Sequence, residues 1–582
     1  MSSSPAPSSP QGVPARAASP ERRFGFKLAI VAVLLWGVLL REVNLDRTWG
    51  WDESMHAELP AARMVELVRA GEWRGAIDVA LACDRYPFLV PVYLAAVQLA
   101  TGVSELAART ALATLWCLGV LAGAFVVRRL SGVSPRSRAG AAVFVLAASF
   151  VPIARLYAPT LFLEASFSAL LSFAVLAWLA RADPGAGRRA DMLAGALFAL
   201  AFFTKFNYGL LLGLGLALSG IGELVAGART GKGASTARRL VWFAVPPGLA
   251  ALWWFVCPLP GGLELGASHR AAFASFLAGN QEFVTPRAMR ILDWTTLVAP
   301  PGAWLLGALG VLLSLRAWRD PALRTCWLVA LALVVPTALH PFHLDRFLLP
   351  IATPLWWLAA AGILRLDEVA WLRRPAWRGW VAGLVVLGAS IGASRWWQAN
   401  ALTTLSLADA DPTLRDYQQA QLDAREVIGR ADPLPTGGLR RSEASLLLAW
   451  VATEAGPTAR VGWIGLSSEL SPAALHLGLL ARGGSAERFL ADAHRELDVT
   501  FEGVDPNWTE QQLADFAARF DVVFCTDPPD LARRGNRAFT AKYRRMLVDA
   551  LGWSERELGT LELDKGLVRY PVRLFACRPP KR

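Results

Sequence analysis

An adjacent pair of carboxylates, Asp52-Glu53, follows Trp49-Gly50-Trp51 about ten residues beyond the first membrane-length apolar run of the chain. Two acids beside a low-dielectric surface repel each other and lose hydration, which raises one pKa and leaves that group suited to accept a proton. A solvated turn between interfacial tryptophans accounts for the same residues, and the pair alone does not decide between the two. Three further sets of polar residues stand at the ends of apolar runs: Glu164, Lys205 in Thr204-Lys205-Phe206-Asn207, and His340, His343, Asp345 and Arg346. Charges close to a membrane are costly and tend to line cavities or paths. Acids and cations around one cavity suit transfer from a phosphate-linked donor, where cations hold the phosphate leaving group and a carboxylate removes the acceptor's proton. Bland alternatives stand beside these readings. Lys205 can snorkel to the interface, Glu164 can complement a helix dipole, and the His340, His343, Asp345 set can be an ordinary turn or a metal site.

Composition fixes the setting of these residues. The chain has 582 residues, 54% hydrophobic and 18% charged, with 24 tryptophans. Mean hydropathy is +0.37. Such values exclude a soluble globular protein and indicate an α-helical polytopic membrane protein. Apolar runs near 24–41, 105–128, 139–157, 161–180, 190–204, 206–226, 240–257, 296–315, 324–339, 347–364 and 379–394 give about 11 expected transmembrane helices. Residues 87–100 form a shorter apolar segment, read as interfacial or re-entrant.

The formal charge of +12 belongs to the membrane half and reflects topology rather than nucleic-acid binding. Basic residues gather in alternate loops: Arg128, Arg129, Arg136 and Arg138; Arg181, Arg188 and Arg189; Arg229, Lys232, Arg238 and Arg239; Arg316, Arg319 and Arg324; Arg365, Arg373, Arg374 and Arg378. By the positive-inside rule these loops and the N-terminus are cytoplasmic. The acids and cations named above then share the outer side. Residues 1–23 form a disordered cytoplasmic tail and 24–394 the membrane domain, with long outward loops 42–104 and 258–295. In the first, 55–70 reads as an amphipathic helix lying along the surface.

From residue 395 to 582 the pattern becomes that of an extracytoplasmic α/β domain, with helices at 413–429 and 509–519 and short strands at 460–465, 521–525 and 572–577. Asp527-Pro528-Pro529-Asp530 reads as a turn. Six cysteines lack zinc or redox spacing, although Cys525 and Cys577 end predicted strands and could pair there.

The chain also resembles a known family. Asp52-Glu53, Ala57-Glu58, Gly71-Glu72-Trp73, Tyr86-Pro87-Phe88 with Tyr93, Gly102-Val103-Ser104-Glu105 and Arg109 resemble, in order and spacing, the opening of the GT-C glycosyltransferases typified by protein O-mannosyltransferases and lipid A aminoarabinose transferases. Thr204-Lys205 and Arg346-Phe347-Leu348-Leu349-Pro350 resemble later motifs of that family, and Glu164 stands where it usually places a second outward acid. Tyr86, with Arg85 beside it, replaces a lysine of the aminoarabinose transferases.

The resemblance implies a GT-C fold, with inverting transfer of a sugar from a polyprenyl-phosphate carrier to a lipid, protein or glycan acceptor at the outer face of a bacterial inner membrane. It makes Asp52 the base, with Glu53 and Glu164 shaping the acceptor or metal site, and Lys205, Arg346 and Arg85 binding the donor phosphate. A divalent cation is a candidate cofactor. A lipid-linked glycan flippase, which needs the cations but no base, is the rival reading.

Overall fold

The computed structural model describes residues 28–34, 36–37, 57–81, 87–131, 140–142, 144–145, 148, 151–158, 160–256, 301–339, 347–365, 438–439, 441–455, 459–464, 509–527, 538–565 and 568–580. Its membrane half is helical: α1 Leu59–Arg69, α2 Trp73–Leu81, α3 Leu89–Thr101, α4 Glu105–Leu130, α5 Pro152–Tyr157, α6 Leu163–Ala180, α7 Arg188–Phe202, α8 Phe206–Arg229, α9 Gly233–Val256, α10 Pro301–Leu315, α11 Pro321–Leu339 and α12 Leu348–Ile363. Among the described residues, the segments of α4, α6, α8 and α11 are long and apolar enough to cross a membrane, and α3 and α12 are shorter apolar helices. The expected span at 379–394 lies outside the described residues.

α6 is the centre of this half. Residues around its whole circumference, from Leu163 and Phe167 to Val175 and Trp178, are buried, as befits a helix that is apolar all round. It packs on α4, α7 and α12, while α8 packs on α11 and α7 on α9. Without a hydrophobic drive between helices in lipid, close approach depends on small residues and on shared hydrogen bonds. Both are present between α8 and α11. A Cβ at Gly215 would stand 2.7 Å from the Cα of Val329, and the buried hydroxyls of Ser219 and Thr325 are 2.6 Å apart. Trp36 Nε1 donates to Thr114 Oγ1 at 2.8 Å, fastening the first apolar segment to α4.

The sequence places a helix at 55–70 along the membrane surface, but the apolar face of α1 is occupied differently. Leu59, Ala61, Ala62, Met64 and Val65 are buried, in a cluster with Val90 and Leu94 of α3 and Leu112 of α4. Its amphipathic pattern therefore records packing against protein. On α2, by contrast, Trp73 and Ile77 are exposed one turn apart.

The C-terminal part forms a mixed sheet of five strands, β1 Gly438–Leu439, β2 Val461–Ile464, β3 Val522–Asp527, β4 Ser554–Lys565 and β5 Val568–Arg578, in the order β1-β4-β5-β3-β2. β2 and β3 are parallel and the remaining pairs antiparallel. Successive β3 side chains face opposite ways: Val522 and Phe524 join α13 (Arg441–Ala455), whereas Val523 and Cys525 join α14 (Glu510–Ala517). The α/β layering expected from the sequence is thus found here. Thr509 caps α14 in a capping box with Gln512. The expected helix at 413–429 lies outside the described residues.

Two local expectations change. Asp527, the first residue of the expected turn, is the last residue of β3. Its buried carboxylate receives Arg573 at 2.5 Å and Arg544 at 3.3 Å, and residues 528–530 lie outside the described residues. Cys525 and Cys577 do lie on adjacent strands, but Cys577 is registered opposite Val523. The two are buried free thiols, with sulfurs 4.0 Å apart on a diagonal.

Candidate active site

Helix ends bring the two described candidate residues together. Glu164 is the second residue of α6, which begins after Phe162 in an extended conformation without a side-chain cap. A carboxylate in the first turn suits the positive end of the helix dipole there. Ser168 Oγ donates to the Glu164 carbonyl at 2.8 Å, and Ser172 Oγ to that of Ser168 at 3.1 Å. Lys205 is the N-cap of α8, with φ −157° and ψ 107°, where the chain turns back after α7.

Lys205 Nζ donates to Glu164 Oε1, and both side chains are buried, the glutamate at 1% exposure. Sequence reasoning placed these two on one side of the membrane without joining them. Two residues it missed complete the surroundings. Tyr208 presents its ring 5.6 Å from Nζ, Phe347 its ring at 5.5 Å, and the Tyr208 hydroxyl donates to the Phe347 carbonyl at 3.4 Å. Aromatic faces at that distance attract a cation and exclude water. The signal for Tyr208 was present, since it follows Lys205 by three positions, one helical turn. Phe347 directly follows Arg346 in the chain. Asp52, Glu53, Arg85, His340, His343, Asp345 and Arg346 lie outside the described residues. Among the described residues no group of three His, Cys, Asp or Glu side chains is placed to hold a metal ion.

Several residues that carry the resemblance around 57–109 make contacts that tie the helices together. Gln98 Nε2 of α3 donates to Glu58 Oε1, just before α1, at 2.5 Å with both residues fully buried. Arg109 Nε donates to Glu105 Oε1 at 2.8 Å across one turn of α4, and Tyr93 donates to the Ala111 carbonyl at 3.0 Å. Phe88 packs against Phe203, centroids 5.1 Å apart, and the Leu89 amide donates to the Phe203 carbonyl at 3.2 Å. The start of α3 is thereby fixed two residues from Lys205.

A second ionic cluster stands at the far ends of the same helices. Arg181, following α6, donates to Asp191 of α7 at 2.9 Å and reaches Glu223 of α8 at 3.5 Å. Arg239 of α9 also meets Asp191, at 3.2 Å, and donates to the Arg181 carbonyl. The Arg181 guanidinium lies over the Trp178 ring at 4.0 Å. Nearby, Arg129 holds Asp183 through two hydrogen bonds, at 2.7 and 2.5 Å. Those bonds keep the Asp183 carboxyl below the usual carboxylate range. From Glu164 to Arg181 is 17 positions and from Lys205 to Glu223 is 18, so at 1.5 Å per residue the clusters are about 25 Å apart. That is close to the hydrocarbon thickness of a bilayer, and apolar side chains fill the interval.

No protein-family model matches the chain, and no curated protein matches its sequence. Its similarity lies in three dimensions. The chain superimposes on ArnT from Cupriavidus metallidurans in the apo state with a TM-score of 0.52 at 16% identity, covering 96% of this chain and 98% of that one. The chain has the fold of ArnT. With ArnT bound to undecaprenyl phosphate the TM-score is 0.53 at 17% identity and the same coverage. ArnT, a lipid A aminoarabinose transferase, is a GT-C fold glycosyltransferase, so the fold class expected from the motifs agrees with the one found. The likeness to ArnT runs over nearly the full length, C-terminal part included.

Proposed function

We propose that the chain is a membrane glycosyltransferase that moves a sugar from a polyprenyl-phosphate carrier to a lipid, protein or glycan acceptor at the outer face of a bacterial inner membrane. The observation that carries this reading is the buried Glu164–Lys205 pair at one end of α6 and α8, with the arginine cluster about 25 Å away at the other. Arginines belong at the cytoplasmic end. The opposite end, with its acid and cation, then faces outward, as does the domain beyond residue 395. The ArnT fold supports the same class of chemistry, and undecaprenyl phosphate, bound to ArnT in one of those structures, is a member of the proposed carrier class.

In this reading the Lys205 ammonium binds the phosphate of the carrier within an aromatic wall of Tyr208 and Phe347. Arg346 and Arg85 add charge to the same phosphate, and as it departs from the anomeric carbon these cations stabilise the developing negative charge. Asp52 takes the proton from the attacking acceptor group, with Glu53 orienting it and Glu164 shaping the acceptor side. A divalent cation, if one takes part, has the carboxylates of Asp52, Glu53 and Glu164 as its candidate ligands.

The test is chemical. Cells lacking the protein should accumulate a polyprenyl-phosphate sugar and lose one sugar from an envelope glycan or lipid, both read by mass spectrometry. Complementation by Asp52→Asn should leave the accumulation in place. Restored transfer with Asp52→Asn would contradict the base assignment and favour a flippase, which needs no base.

A further inference from the structure

The Glu164–Lys205 pair sets a problem that the proposed function does not resolve. A buried ammonium bonded to a buried carboxylate makes a pair whose own net charge is zero. An arriving phosphate is attracted by Lys205 and repelled by Glu164 at nearly the same distance. Two unit charges 4 Å apart interact by about 4 kcal/mol at an effective dielectric of 20, so the glutamate cancels most of what the lysine offers.

Resting on the reading that Lys205 binds a carrier phosphate, we infer that Glu164 is a resident competitor for Lys205: it yields the ammonium when the carrier phosphate binds and reclaims it to expel the spent carrier. Three observations support this. Lys205 is an N-cap residue in extended conformation, so its side chain is not committed to a helical rotamer. The Tyr208 and Phe347 rings near Nζ attract the cation without supplying a counter-charge, so they stabilise it while it changes partners. Glu164 has an alternative source of stabilisation at the α6 N-terminus, where a carboxylate released from lysine still meets the positive end of the helix dipole.

The exchange has most effect after transfer. The carrier enters as a phosphodiester with one negative charge and leaves as a phosphomonoester with close to two, as for phosphoryl groups of second pKa near 6. Lysine alone therefore holds product more tightly than substrate, which would slow turnover. A carboxylate poised to retake the ammonium counters that trend. Glu164 is in this sense a positioning residue that acts through Lys205.

The experiment uses the full-length protein in nanodiscs, with undecaprenyl phosphate as the probe of binding and transfer followed from its sugar-loaded form. Glu164→Gln should bind undecaprenyl phosphate at least tenfold more tightly than the wild type. Both kcat and KM should fall in that variant, the sign of a slowed release. Glu164→Asp, which keeps the charge but withdraws it by one methylene, should fall between the two in affinity. Unchanged or weaker binding by Glu164→Gln, in protein that elutes and melts as a folded species, would overturn the inference. If that variant does not fold, affinity of Glu164→Asp at or below the wild-type level overturns it equally. Absence of undecaprenyl phosphate binding by the wild type and both variants would instead overturn the proposed function on which this inference rests.

Discussion

Removing one member of the Glu164–Lys205 pair separates the stability of the site from its chemistry. Lys205→Met keeps length and apolar bulk but leaves Glu164, 1% exposed, without its ammonium. Breaking a buried pair by deleting one partner costs about 3–5 kcal/mol. The dipole of α6 acts on Glu164 in both proteins and cancels in the difference, so the full loss is expected. Glu164→Leu should cost a similar amount, since it leaves the buried Lys205 ammonium without this carboxylate. The double variant Lys205→Met/Glu164→Leu removes both charges, and replacing a buried pair with apolar groups is often neutral, so its stability should return to within about 1 kcal/mol of the wild type. Thermal unfolding of the purified proteins in one detergent reads the cycle. Activity should be lost wherever Lys205 is replaced. A double variant as unstable as the sum of the singles would refute the claim that the two charges depend on each other.

Four further outcomes are expected. Asp52→Asn should reduce transfer by roughly 10² to 10⁴ while undecaprenyl phosphate still binds, and Glu53→Gln should lose less; near-normal turnover in Asp52→Asn would move the base to another acid. In a cysteine-free background, Ala182→Cys in the loop after α6 should be closed to an impermeant maleimide in whole cells, whereas Thr453→Cys on α13 should react; labelling at 182 would reverse the topology. Gly215→Ala should cost about 1–3 kcal/mol through overpacking against α11, while Gly307→Ala, whose added Cβ would meet nothing within 4 Å, should be near neutral; equal melting temperatures would argue against close α8–α11 contact. The Cys525 thiol is raised well above its usual range, first by its hydrogen bond with Cys577 and then by burial. Its protonated state is thus favoured by the fold, a contribution present below the thiol's unfolded pKa and lost as pH rises through the folded one. Native protein should therefore resist iodoacetamide at pH 8 until it unfolds, and a disulfide-linked peptide in a non-reducing map would contradict the free thiols.

How far the sequence revealed the site depends on what each residue does. Glu164 and Lys205 were legible because a charge at the end of an apolar run has few harmless explanations. Their partnership was not, since 41 positions separate them and only the return of the chain through α7 joins them. Arg181 and Arg239 were read from sequence as loop charges that report topology, yet both pair with the buried Asp191, because a basic residue looks the same to a counting rule whether solvated or paired. α1 was found, but α3 could not be named as what covers its apolar face, as hydrophobic periodicity tells which face is covered and not by what. In the C-terminal part β2, β3 and the end of β5 were visible as short apolar strands. β4 was missed: Ser554-Glu555-Arg556-Glu557 opens it with charged residues that are mostly exposed, and its pairing with β5 is a tertiary fact.

The two ionic clusters at opposite ends of α6, α7 and α8 also restrict how the gene can change length. Each residue added to a helix turns everything beyond it by about 100° and moves it 1.5 Å along the axis. One inserted codon between Glu164 and Arg181 would leave either the carboxylate facing Lys205 or the guanidinium facing Asp191, but not both. Deletions act in the same way with the opposite rotation. Substitution along the apolar interval meets only the demands of volume, whereas insertion meets two fixed ends at once, so these three helices should drift in composition while their lengths stay locked together.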